Sequence, residues 1–344
     1  MLLHKNTIIV ASAGSRKTTG IVEEALAMPG ARVLLTTYTN ENVAQIIDYI
    51  IAKVGHVPKH ITVMSWFSFL LQEGVRPYQN HMTNRGRVGT IDFTSEPNRY
   101  TKKTDTDNYY LTTAGNIFSD KVSEFVYACI ECSNGLPIKR LEKIYGAIFI
   151  DELQDLAAYD LNFLETLFKS SIKVVGVGDP RQATFSTNNS QKNKKFKRTG
   201  IALWIEEQSI AGLFSVEVKC ECYRSNQAIC DFADALFPNL PKTKSINVKD
   251  TGHDGIFLIN REDVLEYVKQ YKPVVLRWNK TSDTGGLNAF NIGITKGRTY
   301  ERVLIFPTGP MIAYLRTKDL KKAGDLSKLY VAVTRAKYSV TFVI

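Results

Sequence analysis

Two short segments of this 344-residue chain carry side chains that could act on a nucleoside triphosphate. In the first, an apolar run at residues 7–10 opens into residues 11–19, which read ASAGSRKTT. A loop of small residues between a strand and a helix can cradle phosphates with its backbone N–H groups. In the second, the apolar residues 148–150 are followed by two adjacent carboxylates, Asp151 and Glu152. Together the two segments predict a phosphate loop and the carboxylates of a magnesium site.

This pattern gives each polar side chain an expected role. Lys17 is expected to reach the β- and γ-phosphates of ATP. The Thr18 hydroxyl and the Asp151 carboxylate are the expected ligands of Mg²⁺. Glu152 is the expected base for the attacking water. An isolated Asp-Glu pair is more often a solvated strand end, so the interpretation depends on the other segments described below.

The loop departs from the pattern G-x-x-x-x-G-K-[ST] at both of its glycine positions, which hold Ala11 and Arg16. Glycine there lets the backbone approach a phosphate closely and permits φ > 0. Arg16 therefore either weakens the cradle or adds a phosphate contact.

Composition sets broad limits on the kind of protein. A chain of 344 residues favours two domains, and a formal net charge of +10 suits a polyanionic partner. No apolar run approaches the roughly 18 residues that a membrane span requires, and no secretory signal is recognisable. Five cysteines are too few for a disulfide framework, and the pairs at 129/132 and 220/222 are weak evidence for a metal. We expect a cytoplasmic protein with reduced cysteines.

Apolar runs and helical periodicities alternate along the chain. Strands are expected at residues 7–10, 32–37, 61–63, 148–150 and 172–177, with helices at 18–27, 42–54 and 117–132. Further strands are expected at 216–219, 256–259, 274–276, 303–306 and 339–344, with helices at 226–236 and 261–271. This alternation predicts an α/β fold with parallel sheets. We place a first domain at 1–215, with a small insertion at about 77–140, and a second domain at 216–344.

The segments occur in an order that resembles superfamily 1 helicases of the UvrD/Rep type. Beside the phosphate loop and residues 150–155 (IDELQD), residues 36–40 (TTYTN) look like the first DNA-contact motif, and residues 177–183 (VGDPRQA) look like the third motif. Residues 222–225 (CYRS) are similar to the fourth motif, and residues 329–337 (LYVAVTRAK) nearly match the sixth. The resemblance implies two RecA-like domains of the P-loop NTPase class that hydrolyse ATP in the cleft between them.

The resemblance also implies roles for side chains outside the phosphate loop. Gln182 would sense the γ-phosphate, Tyr223 would stack on adenine, Arg224 would contact phosphate and Arg335 would be the arginine finger. With the catalytic Lys17, Thr18, Asp151 and Glu152, the expected ATP site comprises Ala13, Gly14, Ser15, Arg16, Thr19, Tyr223, Arg224, Gly297 and Arg335.

The segment at the fifth-motif position, residues 296–303 (KGRTYERV), departs from the UvrD form. Where that form has a histidine and a glutamate, this chain has Gly293 and Thr299. The end of this segment is more similar to the RecD/Dda branch of the superfamily. Which residues contact the ribose of ATP, and in which direction the protein moves along a strand, therefore stay open. Only some seventy residues separate the fourth and fifth motifs, so the large second-domain insertion is absent or vestigial.

Aromatic rings and cations at these motifs predict a single-strand binding surface. The expected contacts are Thr37, Tyr38, Thr39, Asn40, Trp66, Phe67, Lys195, Lys296 and Thr299. Aromatic side chains such as Trp66 and Phe67 are also common in protein cores, and the basic loop at 192–198 also suits a solvated surface.

The sequence therefore predicts an ATP-dependent translocase or helicase on single-stranded DNA, with ATP and Mg²⁺ as cofactors. Two alternatives remain open at this point. One is a nucleotide-gated DNA-binding subunit that regulates a partner nuclease without unwinding. The other is an RNA helicase, because the Gly-Asp-Pro-x-Gln form of the third motif also occurs in viral RNA relatives.

Overall fold

The computed structural model describes residues 6–188 and 190–344, which form two compact units. The first unit holds the described residues up to Val10, Lys17–Pro180 and Phe185–Glu217. The second holds Ala11–Arg16, Arg181–Thr184 and Val218–Ile344. Each unit has its own hydrophobic core.

The elements up to residue 219 alternate between strands and helices, with an irregular stretch in the middle. The strands are β1 (Thr7–Ala11), β2 (Val33–Thr37), β3 (Ile61–Ser65), β4 (Ile91–Asp92), β5 (Ile117–Phe118), β6 (Ala147–Ile150), β7 (Lys173–Gly178) and β8 (Ser215–Lys219). The α-helices are α1 (Lys17–Leu26), α2 (Asn40–Val54), α3 (Trp66–Phe69), α4 (Thr106–Tyr110), α5 (Val122–Cys132), α6 (Leu136–Ile144), α7 (Tyr159–Phe168) and α8 (Ile201–Ile210). A π-helical turn follows α3 at Leu70–Val75, and short 3₁₀ turns lie at Gln79–His81, Ser119–Lys121, Leu153–Asp155, Pro180–Gln182, Lys194–Phe196 and Arg198–Gly200.

Six of these strands form one sheet in the order β3-β2-β6-β7-β1-β8. The pairs β3–β2, β2–β6, β6–β7 and β7–β1 are parallel. Strands β2, β6 and β7 are buried along almost their whole length, which explains their continuous apolar runs in the sequence. Since parallel strands end at the same edge, the segments that follow β2, β6 and β7 emerge side by side, where open α/β sheets bind ligands.

The elements of the second unit repeat the same alternation. The strands are β9 (Glu221–Cys222), β10 (Lys244–Ser245), β11 (Gly255–Ile259), β12 (Val274–Arg277), β13 (Phe290–Asn291), β14 (Tyr300–Phe306) and β15 (Ala336–Val343). The helices are α9 (Gln227–Ala235), α10 (Val264–Tyr271), α11 (Gly309–Thr317) and α12 (Leu326–Val333), with 3₁₀ turns at Arg261–Asp263, Ile292–Thr295 and Leu320–Lys322. Five strands form a parallel sheet in the order β11-β15-β14-β12-β13.

The α/β fold with two parallel sheets is therefore confirmed, and two local predictions need correction. The helix expected at 117–132 begins only at Val122, because residues 117–118 pair with β4 as a short strand. The strand expected to open the second domain, at 216–219, lies in β8 at the edge of the first sheet. The domain bounds 1–215 and 216–344 stay predictions.

Among the described residues, no helix is both long and apolar enough to span a bilayer. The five cysteines are free thiols, and no group of three or more potential metal-ligating side chains is found in the described part of the chain.

Candidate nucleotide and nucleic-acid sites

The two predicted carboxylates lie at the carboxyl end of β6, in the first unit. Asp151 extends the strand by one hydrogen bond, since its N–H donates to the Thr36 carbonyl at 2.8 Å. The Thr18 hydroxyl donates to Oδ2 of Asp151 at 2.6 Å, and Nζ of Lys17 lies 3.9 Å from Oε1 of Glu152. Both carboxylates are buried. The structure thus brings Lys17, Thr18, Asp151 and Glu152 together, as the sequence predicts.

Helix α1 sets the position of the lysine and the threonine. It begins at Lys17, so Thr18 and Thr19 lie in its first turn, where backbone N–H groups have no partner within the helix. Burial raises the pKa of Asp151, and the charge of Glu152 adds to the rise, whereas Lys17 and Thr18 oppose it. A hydroxyl and a buried carboxylate in contact are hard oxygen donors, which suit Mg²⁺.

Glu152 and Gln154 connect the segment that follows β6 to the segment that follows β7. Glu152 has φ +56°, which is uncommon for a residue with a side chain, and its carboxylate accepts a hydrogen bond from the Gln154 amide. The amide oxygen of Gln154 accepts from the N–H of Asp179 at 3.0 Å. Gly178 makes room for this contact, because a Cβ there would lie 2.6 Å from the Gln154 oxygen. Gln154 belongs to the IDELQD segment, in which only the two carboxylates have an expected role.

A row of four aromatic rings lies beside the carboxyl end of β2, also in the first unit. Ring centroids are 6.0 Å apart for Tyr38 and Phe67, 6.2 Å for Tyr38 and Phe185, and 5.1 Å for Phe67 and Phe93. We call these four residues the aromatic row. Part of the row borders a cavity of about 360 Å³, which is lined by Tyr38, Thr39, Asn40, Ser65, Phe67, Ser68, Leu71, Gln72, Thr90, Ile91 and Phe93.

The row contains two residues that sequence analysis missed. Phe93 lies in the polar segment that was interpreted as an insertion, where no periodicity singles it out. Phe185 follows the third motif by a few residues, and only its proximity to that motif could have drawn attention to it. Their large exposed fractions, 65% for Phe93 and 38% for Phe185, suit a contact surface.

Of the predicted nucleic-acid contacts at this edge, Tyr38, Thr39, Asn40 and Phe67 line the cavity, but two others do not. Thr37 is buried within the sheet at 1% exposure. Trp66 is also 1% exposed, and its indole N–H donates to Asp160 at 2.8 Å. In this conformation neither side chain is accessible to a nucleic acid, because each is enclosed in the core of the unit.

The remaining predicted contacts lie on exposed segments. Lys195 is exposed on the basic loop of the first unit, and its Nζ is 2.8 Å from a carboxylate oxygen of Glu207. In the second unit, Lys296 and Thr299 flank a turn at Gly297, which has φ +84°. Lys296 is partly buried and Thr299 is exposed. Their contact with nucleic acid stays a prediction.

The phosphate loop packs against the fourth-motif segment, within the second unit. The N–H of Tyr223 donates to the Gly14 carbonyl at 3.0 Å. Gly14 has φ +78°, and a Cβ there would lie 2.7 Å from Cβ of Arg224 and 2.9 Å from Sγ of Cys222. Only glycine fits this position without displacing its neighbours.

Arg16 adopts the backbone conformation that the phosphate-loop pattern assigns to glycine. Its φ is +60°, and its guanidinium lies 4.1 Å from the centroid of the Tyr223 ring. Arg16 thus covers one face of the ring that was expected to stack on adenine. Elsewhere in the loop, the Ala13 N–H contacts the Tyr330 hydroxyl at 3.3 Å, and the buried Ser15 hydroxyl has no partner among the described residues.

Arg335 and Gln182, both expected at the γ-phosphate, are in contact within the second unit. Nη2 of Arg335 donates to Oε1 of Gln182 at 3.2 Å, and Nε donates to the Val331 carbonyl at 3.0 Å. Nη1 of Arg335 donates to the Arg298 carbonyl at 3.3 Å, which ties it to the fifth-motif turn. Arg224 donates from Nη1 to a carbonyl of the sixth motif, at 3.0 Å.

Two family models match the chain. The model described as the viral superfamily 1 RNA helicase core domain matches residues 134–344, which is more than half of the chain. The model of the UvrD/REP helicase N-terminal domain matches residues 72–194. A search of curated proteins finds no match.

Solved structures of an arterivirus helicase, nonstructural protein 10, share the fold. The protein alone superimposes with a TM-score of 0.53 at 17% identity, covering 99% of this chain and 60% of that one. Its complex with DNA gives a TM-score of 0.54 at 17% identity, covering 99% and 61%. This chain therefore spans about 60% of the length of that helicase.

Proposed function

Because the chain belongs to the viral superfamily 1 RNA helicase core family, we propose that it is an ATP-dependent translocase or helicase on single-stranded DNA. The contact between Thr18 and Asp151, with Lys17 close to Glu152, carries this proposal. Four residues from segments 133 positions apart meet at one sheet edge, an arrangement that supports phosphoryl transfer as the reaction.

For the first-unit residues we propose the roles that the sequence predicts, which this geometry supports. Bound Mg²⁺ would neutralise charge on the β- and γ-phosphates. Thr18 and Asp151 would hold the ion, and Lys17 would contact the phosphates. Glu152 would orient the attacking water and accept its proton, with its carboxylate held by the Gln154 amide.

For the second unit we propose the phosphate contacts that the sequence predicts. Gln182, Arg224 and Arg335 carry these roles, and the contact between Gln182 and Arg335 supports a joint one. The action of both units on a single nucleotide stays a prediction, as do a cytoplasmic location and a nuclease partner.

The aromatic row is the proposed platform for nucleic-acid bases. Every base has a π-face, so such a row binds single strands with little sequence preference. RNA is the second candidate substrate, since the family model that covers most of the chain describes RNA helicases. Stimulation of ATP hydrolysis by matched DNA and RNA oligonucleotides distinguishes the two: greater stimulation by DNA supports the proposal, and greater stimulation by RNA replaces it with the second candidate.

Replacement of Lys17 tests the nucleotide site. Lys17→Ala is expected to abolish ATP hydrolysis by the purified chain, because the lysine would contact the transferred phosphate. Lys53→Ala is the matched control, since Lys53 lies on the outer face of α2 and pairs with Glu23. Hydrolysis by Lys17→Ala at the rate of the control would refute the site.

A further inference from the structure

A buried carboxylate outside all the predicted motifs connects three segments of the first unit. Asp160, the second residue of α7, is 1% exposed. Its Oδ1 accepts the Trp66 indole N–H at 2.8 Å, and its Oδ2 accepts the Thr187 hydroxyl. The Ala157 N–H lies 3.4 Å from the same Oδ2. Burying a carboxylate is costly unless donors of this kind surround it, so the arrangement is specific.

These donors come from the segments that lead to the two proposed sites, and the Ser123 side chain is a further hydrogen-bond partner of Asp160. Ala157 lies in the loop that leaves the carboxylates of β6, and its N–H also donates to the Thr187 hydroxyl at 3.0 Å. The N–H of Thr187 donates to the Asp155 carbonyl of the same loop, at 2.9 Å. Trp66 immediately precedes Phe67 of the aromatic row, and Thr187 follows Phe185 by two residues.

The loop held by Asp160 has a strained backbone. Ala158, which precedes α7, has φ +54° and ψ −120°, and Glu152 at the start of the loop has φ +56°. Such conformations cost about 1–3 kcal/mol each and persist only where the surroundings determine them. The Ala157 N–H donates to Asp160 and to Thr187, and these hydrogen bonds fix the backbone on the helix side of the loop.

We propose that Asp160 is a positioning residue that couples nucleic-acid binding at the aromatic row to the catalytic loop. The proposal rests on the proposed function of both sites. A bound base that displaces Phe67 would also displace its neighbour Trp66, and one that displaces Phe185 would displace Thr187. Trp66 and Thr187 both donate hydrogen bonds to the Asp160 carboxylate. That carboxylate transmits the shift to Ala157 and to the loop that begins at Glu152. Asp160 is buried and would act through these neighbours, without touching nucleotide or nucleic acid itself.

Three substitutions test the coupling, one at Asp160 itself and two at different hydrogen-bond partners of Asp160. Asp160→Asn replaces one acceptor oxygen by an NH₂ group, which then faces a donor. Trp66→Phe removes the indole N–H but keeps an aromatic ring, and Thr187→Val removes the hydroxyl. Each is expected to leave unstimulated ATP hydrolysis within about twofold and to reduce stimulation by single-stranded nucleic acid about tenfold, because a hydrogen bond to a charged group is lost. The two single-donor variants keep the carboxylate if Asp160→Asn does not fold.

Trp204→Phe is the matched control. Trp204 is also fully buried, and its indole N–H donates to a different carboxylate, Glu165, at 3.1 Å. This variant is expected to keep the wild-type ratio of stimulated to unstimulated hydrolysis.

The outcomes separate the coupling from the proposed function. A wild-type ratio in both Trp66→Phe and Thr187→Val overturns the coupling alone, and so does an equal loss of stimulation in Trp204→Phe. A wild-type chain that hydrolyses ATP but responds to neither DNA nor RNA overturns the proposed function and the coupling together.

Discussion

Replacement of Phe93 by alanine removes one ring of the aromatic row and leaves the nucleotide-site residues of the first unit in place. The Phe93 side chain is 65% exposed, and its ring meets Phe67 edge to face at 5.1 Å. Because most of the ring faces solvent, its loss leaves no buried cavity. We therefore expect Phe93→Ala to affect binding of nucleic acid rather than the fold.

The size of the effect follows from base stacking. A base stacked on an aromatic side chain contributes about 1–3 kcal/mol, which corresponds to roughly 5- to 150-fold in Kd. The other three rings of the row, Tyr38, Phe67 and Phe185, remain, so a loss of about 5- to 20-fold is expected. No cation is removed, so the dependence of log Kd on log salt concentration should keep its wild-type slope.

Fluorescence anisotropy with a labelled single-stranded oligonucleotide measures both quantities. Tyr100→Ala is the matched control, because Tyr100 lies in the same predicted insertion, is 93% exposed and does not line the cavity. Equal Kd values for Phe93→Ala, Tyr100→Ala and the wild type would refute the aromatic row as the binding surface. A changed salt slope in Phe93→Ala would show that the variant perturbs phosphate contacts instead.

Three further predictions concern the nucleotide site, its loop and the buried carboxylate. Glu152→Gln should slow ATP hydrolysis by about 100-fold or more while ATP still binds in a filter assay, because the variant lacks the base; turnover at the wild-type rate would exclude that role. Gly14→Ala should lower the midpoint of thermal unfolding more than Gly55→Ala does. Both glycines have φ near +80°, but only a Cβ at residue 14 would lie within 3 Å of other atoms. Equal midpoints for the two variants would contradict the close packing of Gly14. Burial raises the pKa of Asp160 from 3.8 to about 6, so the free energy of unfolding, relative to Asp160→Asn, should fall by roughly 2 kcal/mol as pH rises from 4 to 7. Urea titrations at each pH measure the free energy of unfolding of both proteins. A difference between them that does not change with pH would contradict the raised pKa of Asp160.

The sheet edge and its carboxylates could be predicted because their signals are local. Apolar runs of β-branched residues identify strands β1, β2, β6 and β7, and the polar residues that follow each run must emerge at one edge of a parallel sheet. That rule places Thr18, which follows β1, and Asp151, which follows β6, at the same edge of the sheet. The phosphate-loop pattern also anticipates the positive φ that Arg16 adopts.

Contacts between distant segments could not be predicted in the same way. Trp66 follows a strand at the same edge as Tyr38, but its hydrogen bond to Asp160, 94 residues away, holds it in the core. Phe93 reaches the aromatic row from a polar segment with no periodicity. Since burial of an aromatic side chain depends on long-range packing, local sequence alone does not separate a base contact from a core residue.

The rate of ATP hydrolysis by the purified chain, with and without single-stranded DNA, tests the central claim most directly. We predict that Mg²⁺-dependent hydrolysis occurs, that DNA stimulates it, and that Lys17→Ala abolishes it. ATP binding without hydrolysis, in the presence and in the absence of DNA, would contradict a motor and favour a nucleotide-gated binding subunit.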